Sequence, residues 1–193
     1  MEKLIVHPSS TSEWQALITD ASNSCSISLT EEIESYLVFL LMRYTKSPDI
    51  ANSVVALEFL NSTNQLGKQK SESLRDVGDR CLLFSGLFPG RAKKRRIKIS
   101  YFVKIGQSAY CSLSEQPSSS LAELYSKLSE QFIPMMDILH STREIHSQYL
   151  TLDPLQAEEI WNDTGSPHAF NTLRKFTNAT PINNHQSLSQ LRH

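Results

Sequence analysis

The sequence lacks most of the features that announce an activity. Its three cysteines, Cys25, Cys81 and Cys111, are an odd number, far apart and in no CxxC or CxH spacing. That pattern suits a reducing compartment better than a disulfide framework, and it offers no zinc ribbon. Cys81 and Cys111 lie in apolar surroundings and read as small core residues. Six glycines are few for nucleotide-binding turns, and neither GxSxG nor HExxH occurs. The Gly86-Leu87-Phe88-Pro89-Gly90 stretch has no preceding strand and no phosphate-loop lysine.

Long apolar runs are absent too. The longest, Tyr36 to Met42, is far short of the ~20 residues of a membrane span. The first ten residues, MEKLIVHPSS, are too weakly apolar for a secretory signal. The expectation is a soluble cytoplasmic chain with no membrane partner. Charge of one sign is also missing: the formal net charge is -1, which argues against a general nucleic-acid coat protein.

What is present is helix punctuation. Ser47-Pro48, Asp153-Pro154 and Ser166-Pro167 each set an N-cap residue before a proline at the first helical position. Ser28 with Glu31, and Ser120 with Glu123, have capping-box spacing. Gly165 falls where a helix begun at Asp153 needs a left-handed terminator. Apolar residues repeat at helical intervals from Ile33 to Tyr44 and from Leu74 to Phe84. The same spacing from Leu121 to Leu139 predicts one long helix over 120–148, kinked at Pro134.

Residues 97–109 fit a strand alternation as well as a helical face, with Ile97, Tyr101, Ile105 and Ala109 on one side. No partner strand is evident, so helix is the reading. The expectation is an all-α single domain of about seven helices. Residues 29–177 form its helical body, 1–28 a partly flexible N-terminal segment in which Trp14, Leu17 and Ile18 dock a short helix, and 178–193 a flexible tail. Asn61 to Lys70 reads as an exposed loop.

Candidate sites are three. Arg91, Lys93, Lys94, Arg95, Arg96 and Lys98 place six cations in eight residues. Such a run neutralises phosphates, docks an acidic protein face, or is a solvated turn. At the start of a helix it would oppose the macrodipole, a conflict that a bound anion relieves. No helix-turn-helix accompanies it. Asp137, His140 and Glu144 share a helical face and mimic half of a di-metal motif, but no second half exists, so an exposed polar face with a chance histidine outranks a metal site. His146 points away from that face. Asp76 and Asp79 flank Gly78 in an apolar helix. With no nucleophile or oxyanion donors beside them, they read as facing the basic residues, or else Gly78 simply allows a close helix contact.

Val77-Gly78-Asp79, Leu83 to Pro89 and Ile105-Gly106 to Ala109-Tyr110 resemble a family of predominantly helical bacterial proteins of unknown function. Residues 121–144 and Ile160-Trp161 with Thr164-Gly165-Ser166 extend the likeness over most of Ile33 to Phe176. The resemblance implies a helical bacterial protein and carries over no catalytic residue, metal or cofactor. The leading functional expectation is a non-enzymatic regulator or adaptor acting through an unidentified protein partner. A nucleic-acid-binding regulator using the 91–98 cluster ranks second, and an enzyme with a dispersed site third.

Overall fold

A computed structural model describes residues 10–46, 55–63, 65–94, 97–116, 120–147 and 152–177. The described residues fold into helices alone: α1 (Ser10–Cys25), α2 (Glu31–Lys46), α3 (Val55–Thr63), α4 (Gly67–Leu87), α5 (Pro89–Lys94), α6 (Ile99–Ser114), α7 (Ala122–Glu130), α8 (Phe132–Ser147), α9 (Pro154–Thr164) and α10 (Pro167–Phe176). The predicted tail 178–193 and the Ser47-Pro48 cap lie outside the described residues.

Several elements are where local chemistry puts them. Asp153 accepts from the Gln156 backbone N–H at 2.9 Å and the Gln156 side chain returns the bond, a complete capping box with Pro154 inside it. Gly165 ends α9 at φ 73, in the left-handed region that only glycine enters without cost. Ser166 caps α10 through the Ala169 N–H at 3.0 Å. The ambiguous 97–109 segment is helical: Phe102, Val103, Gly106, Ala109, Tyr110 and Leu113 are buried at spacings of three and four.

Other expectations are corrected. The single helix over 120–148 is two, α7 and α8, broken at Gln131 (φ -97, ψ 18). The break puts Pro134 in the first turn of α8, where its missing N–H has no partner to lose, so a kink gives way to a fresh start. This split, with the short α5 and a full-length α1, carries the count above seven. Neither Ser28 nor Ser120 caps: α2 begins after Thr30, whose carbonyl accepts from Ile33 and Glu34, and the N-cap of α7 is Leu121 without a side-chain bond. Of the loop expected over Asn61 to Lys70, only Gln65 and Leu66 are non-helical among the described residues, its flanks being absorbed into α3 and α4.

α4 is the central strut, packed on α3, α5, α6 and α8, while α8 in turn takes α1 and α10. Ile18 and Ala21 of α1 are fully buried, so this helix belongs to the core. Gly78 decides the α4–α6 approach. A Cβ there would lie 2.5 Å from Cε1 of Tyr110, so only glycine lets that ring lie on the α4 backbone. Tyr110 then meets Tyr125, Phe132 and Tyr36 with centroids 6.1–6.2 Å apart.

Candidate functional site

Three places gather polar groups, and the first is buried. Tyr110 on the Gly78 surface donates to Oδ1 of Asp79 at 2.9 Å, and Tyr36 donates to the same oxygen at 2.5 Å. Arg43 reaches Oδ2 of Asp79 at 3.2 Å and Oδ1 of Asp76 at 2.5 Å. Burial pushes the Asp79 carboxyl up, opposed by the two hydroxyls and then by Arg43 and Arg75. The Tyr36 and Tyr110 phenols are pushed up by burial and the adjacent carboxylate, so both remain donors. The basic residues that Asp76 and Asp79 face are therefore on α2 and α4, away from 91–98. A polar hollow of about 260 Å³ borders Asp76 between α3 and α4. Its groups bond one another, Arg80 to Glu58 at 2.5 Å and Ser73 to Gln65 at 2.6 Å. This is a brace whose polar groups are taken up by one another.

The second place corrects the exposed-face expectation for α8. Asp137 and His140 are 0% exposed. α10 covers them: Ser166 donates to Oδ1 of Asp137 at 2.6 Å, and the His168 backbone N–H to Oδ2 at 3.2 Å. Asp137 is thus the anion at the N-terminus of α10, where the macrodipole favours it. The His168 ring stacks on His140 at 5.7 Å and 8°. Its Nε2 lies 3.3 Å from Glu144 and its Nδ1 3.8 Å from the Cys25 sulfur. The sequence reading missed Cys25, Tyr36, Arg43, Ser166 and His168 as members of these clusters. The Ser166 cap was the one available signal.

These groups set a pH dependence. Burial raises Asp137 to about 6, its Ser166 and His168 bonds opposing. Burial lowers His168, but contacts with Cys25 and Glu144 outweigh it and carry the imidazole to about 9. Both groups hold protons more tightly folded than unfolded. Stability contributed by His168 is therefore complete below about pH 6.5 and lost as pH rises through 9. Asp137 adds a loss of the same sign between about pH 4 and 6. The melting temperature is expected to fall from pH 6.5 to 9 in the wild type and to flatten over that window in His168→Gln. A wild-type profile flat or rising there would contradict the assignment.

The third place adjoins the basic run. α5, the α5–α6 junction and α9 enclose an open groove of about 270 Å³, its apolar lining including Ala92, Ile97, Ile99, Leu155 and Ile160. Both walls are pinned: Gln156 donates to the Pro89 carbonyl at 3.3 Å, and Lys98 and Ser100 share Oδ2 of Asp163 at 3.2 and 2.9 Å. Leu155 stands 73% exposed at the rim. Oε1 of Glu159 is buried in the α9 wall with no hydrogen-bond donor among the described residues.

Of the predicted cluster, Arg95 and Arg96 lie outside the described residues, as do the side chains of Arg91, Lys93 and Lys94. Lys93 and Lys94 close α5, the end of a helix at which cations are favoured, so for them the predicted conflict with the macrodipole does not arise, whereas Arg91 stands in its first turn. Lys98 is a surface cation at the N-cap of α6, and its Nζ is the one that meets Asp163. Cys81 is buried as expected, but Cys111 is exposed. On α6 the inward positions are Ala109, Tyr110 and Leu113, which turns 111 outward.

No described helix is long and apolar enough to cross a membrane. In comparisons with known protein families, curated proteins and solved structures, the chain matches none.

Proposed function

We propose that the protein is a non-enzymatic cytoplasmic adaptor or regulator, and that its docking site is the α5–α6–α9 groove. Its occupant is an amphipathic segment of a partner protein with an acidic flank. A helical bacterial protein of the kind that its 74–115 stretch resembles fits this reading. The observation that carries it is an open apolar groove lined by Ala92, Ile97, Lys98 and Ile99, which stand in and beside the sequence's only dense basic run. A groove of about 270 Å³ accommodates one or two apolar side chains. The cations of 91–98 complement acidic residues beside them.

One feature favours protein over nucleic acid. The opposite wall, α9, puts Glu159 in the groove, which repels a phosphate backbone laid along it. A peptide offers backbone N–H groups, which suit the unbonded Glu159 oxygen.

Affinity capture at low salt with three baits tests this: wild type, Leu155→Asp, and Leu66→Asp as an exposed control outside the groove. A stoichiometric protein held by wild type and Leu66→Asp, released by salt and lost from Leu155→Asp, is the expected result. Equal capture by all three baits overturns the groove assignment. Nuclease-sensitive retention of DNA or RNA, abolished when Arg95, Arg96 and Lys98 are changed to Gln, overturns it in favour of the nucleic-acid reading.

A further inference from the structure

Where α1 ends against α8 and α10, three side chains stand in line. The Cys25 sulfur lies 3.8 Å from Nδ1 of His168, and Nε2 of the same ring lies 3.3 Å from Oε1 of Glu144. The imidazole is 9% exposed and Glu144 16%, while Cys25 is half-buried. The order is that of a nucleophile, its base and the group that orients the base. With Nε2–H donated to Glu144, the ring keeps a second proton on Nδ1, the nitrogen that faces the sulfur, until pH approaches about 9. Stacking on His140 at 5.7 Å and the bond from the His168 backbone to Asp137 hold the ring in place.

We propose that Cys25 is the nucleophile of a thiol–disulfide exchange site, with the His168 imidazolium as the cation that steadies its thiolate and the proton donor to the leaving group, Glu144 as a positioning residue, and a low-molecular-weight disulfide as the substrate. The Cys25 thiol gives its proton to solvent, and the thiolate, facing Nδ1–H of the His168 imidazolium, attacks one sulfur of R–S–S–R. The new Cys25–S–S–R bond forms while the original S–S bond breaks and its electron pair leaves on R–S⁻. That thiolate takes a proton from His168, which recovers one from solvent. Cys25 is oxidised to the mixed disulfide, and the substrate is reduced to one equivalent of R–SH.

Exchange fits this site better than acyl transfer does. Acyl transfer needs free N–H groups beside the nucleophile to hold an oxyanion. The two amides that follow Cys25 are spent: Ser26 N–H on the Asn23 carbonyl at 3.1 Å and Ile27 N–H on Ser22 at 3.0 Å, in a turn with Ser26 at φ 55. Thiol–disulfide exchange passes through no oxyanion. His168 also stays cationic at neutral pH, as its rise to about 9 reflects, and a cation beside the sulfur favours a thiolate. Four other groups of α8 bear on the pair. The Asp137 carbonyl, 3.7 Å from the sulfur, competes for the thiol proton, and the Asp137 carboxylate is bound to Ser166 and to the His168 backbone. His140 is held neutral by burial, and Arg143 donates to the Leu87 carbonyl at 2.6 Å.

The chain contains its own controls. Cys111 is more exposed than Cys25, but its neighbour at 3.8 Å is the Glu115 carboxylate instead of an imidazole. Cys81 is fully buried, and burial pushes its thiol well up. Incubating the full chain with oxidised glutathione at pH 7, and following each cysteine by peptide mass, gives the relative rates. Cys25 is expected to form its mixed disulfide about 10-fold faster than Cys111 despite its lower exposure. His168→Gln brings the ratio towards one with the Cys111 rate unchanged. Glu144→Gln lowers the ratio less but shifts its pH dependence, which a loss of packing alone would not do. A wild-type Cys111 rate equal to or above that of Cys25, or a ratio unmoved by His168→Gln, overturns the proposal.

Discussion

Asp79→Ala is expected to cost the fold about 3–5 kcal/mol, the loss that follows when one partner of a buried charged cluster is removed. The carboxylate accepts from Tyr36, Tyr110 and Arg43, and the site is 5% exposed, so water does not replace it. The two phenols are left as orphaned buried donors. Arg43 suffers less, because it keeps Asp76 and its side chain is 40% exposed. Urea denaturation should show a lower midpoint with an unchanged slope. Adding Tyr36→Phe and Tyr110→Phe to Asp79→Ala should recover part of the loss, because the donors vanish with their acceptor. A single-mutant loss below about 1 kcal/mol would mean that the brace is ornamental.

Gly86→Ala is expected to destabilise by about 2 kcal/mol, even though alanine is the better helix former by about 1 kcal/mol. The new Cβ would sit 2.6 Å from Cβ of Leu139, an atom fixed to the α8 backbone. No rotamer change relieves that contact, so α8 must move off α4. Gly90→Ala is the matched control. It lies in α5 with nothing within 4 Å of the added carbon, and it should stabilise by up to about 1 kcal/mol. Thermal melts of the two variants should shift in opposite directions, and two shifts of the same sign would count against the tight α4–α8 contact.

These two effects separate what was legible in the sequence from what was not. The Asp153 and Ser166 caps and the Gly165 terminator act over three or four residues, so α9 and α10 could be placed from the sequence. The lack of a partner strand sufficed to read α6 as helix, but the face it buries runs through Phe102, Val103, Gly106 and Tyr110, not through Ile97, Tyr101 and Ile105. Pro134 reads as a kink or as a first-turn residue with equal ease, and tertiary packing around Phe132 chose the second. Asp79 was visible as a polar residue in an apolar helix. Its partners Tyr36 and Arg43 were not, because they come from α2, more than thirty residues away. Asp137 and His140 were misjudged for the same reason: the helix that buries them starts at Pro167. The basic run was conspicuous, but the groove beside it depends on α9 folding back over α5, which no local pattern encodes.

The central claim is that this groove receives an amphipathic, acid-flanked protein segment. Backbone-amide NMR of the full chain, titrated with a synthetic helix carrying leucine anchors and a glutamate flank, tests it most directly. The account predicts shifts concentrated at Ala92, Ile97 to Ile99 and Leu155 to Ile160, weakened by salt and absent with a lysine-flanked version of the same peptide. Shifts that scatter away from these residues, or that are indifferent to the sign of the flank, would contradict it.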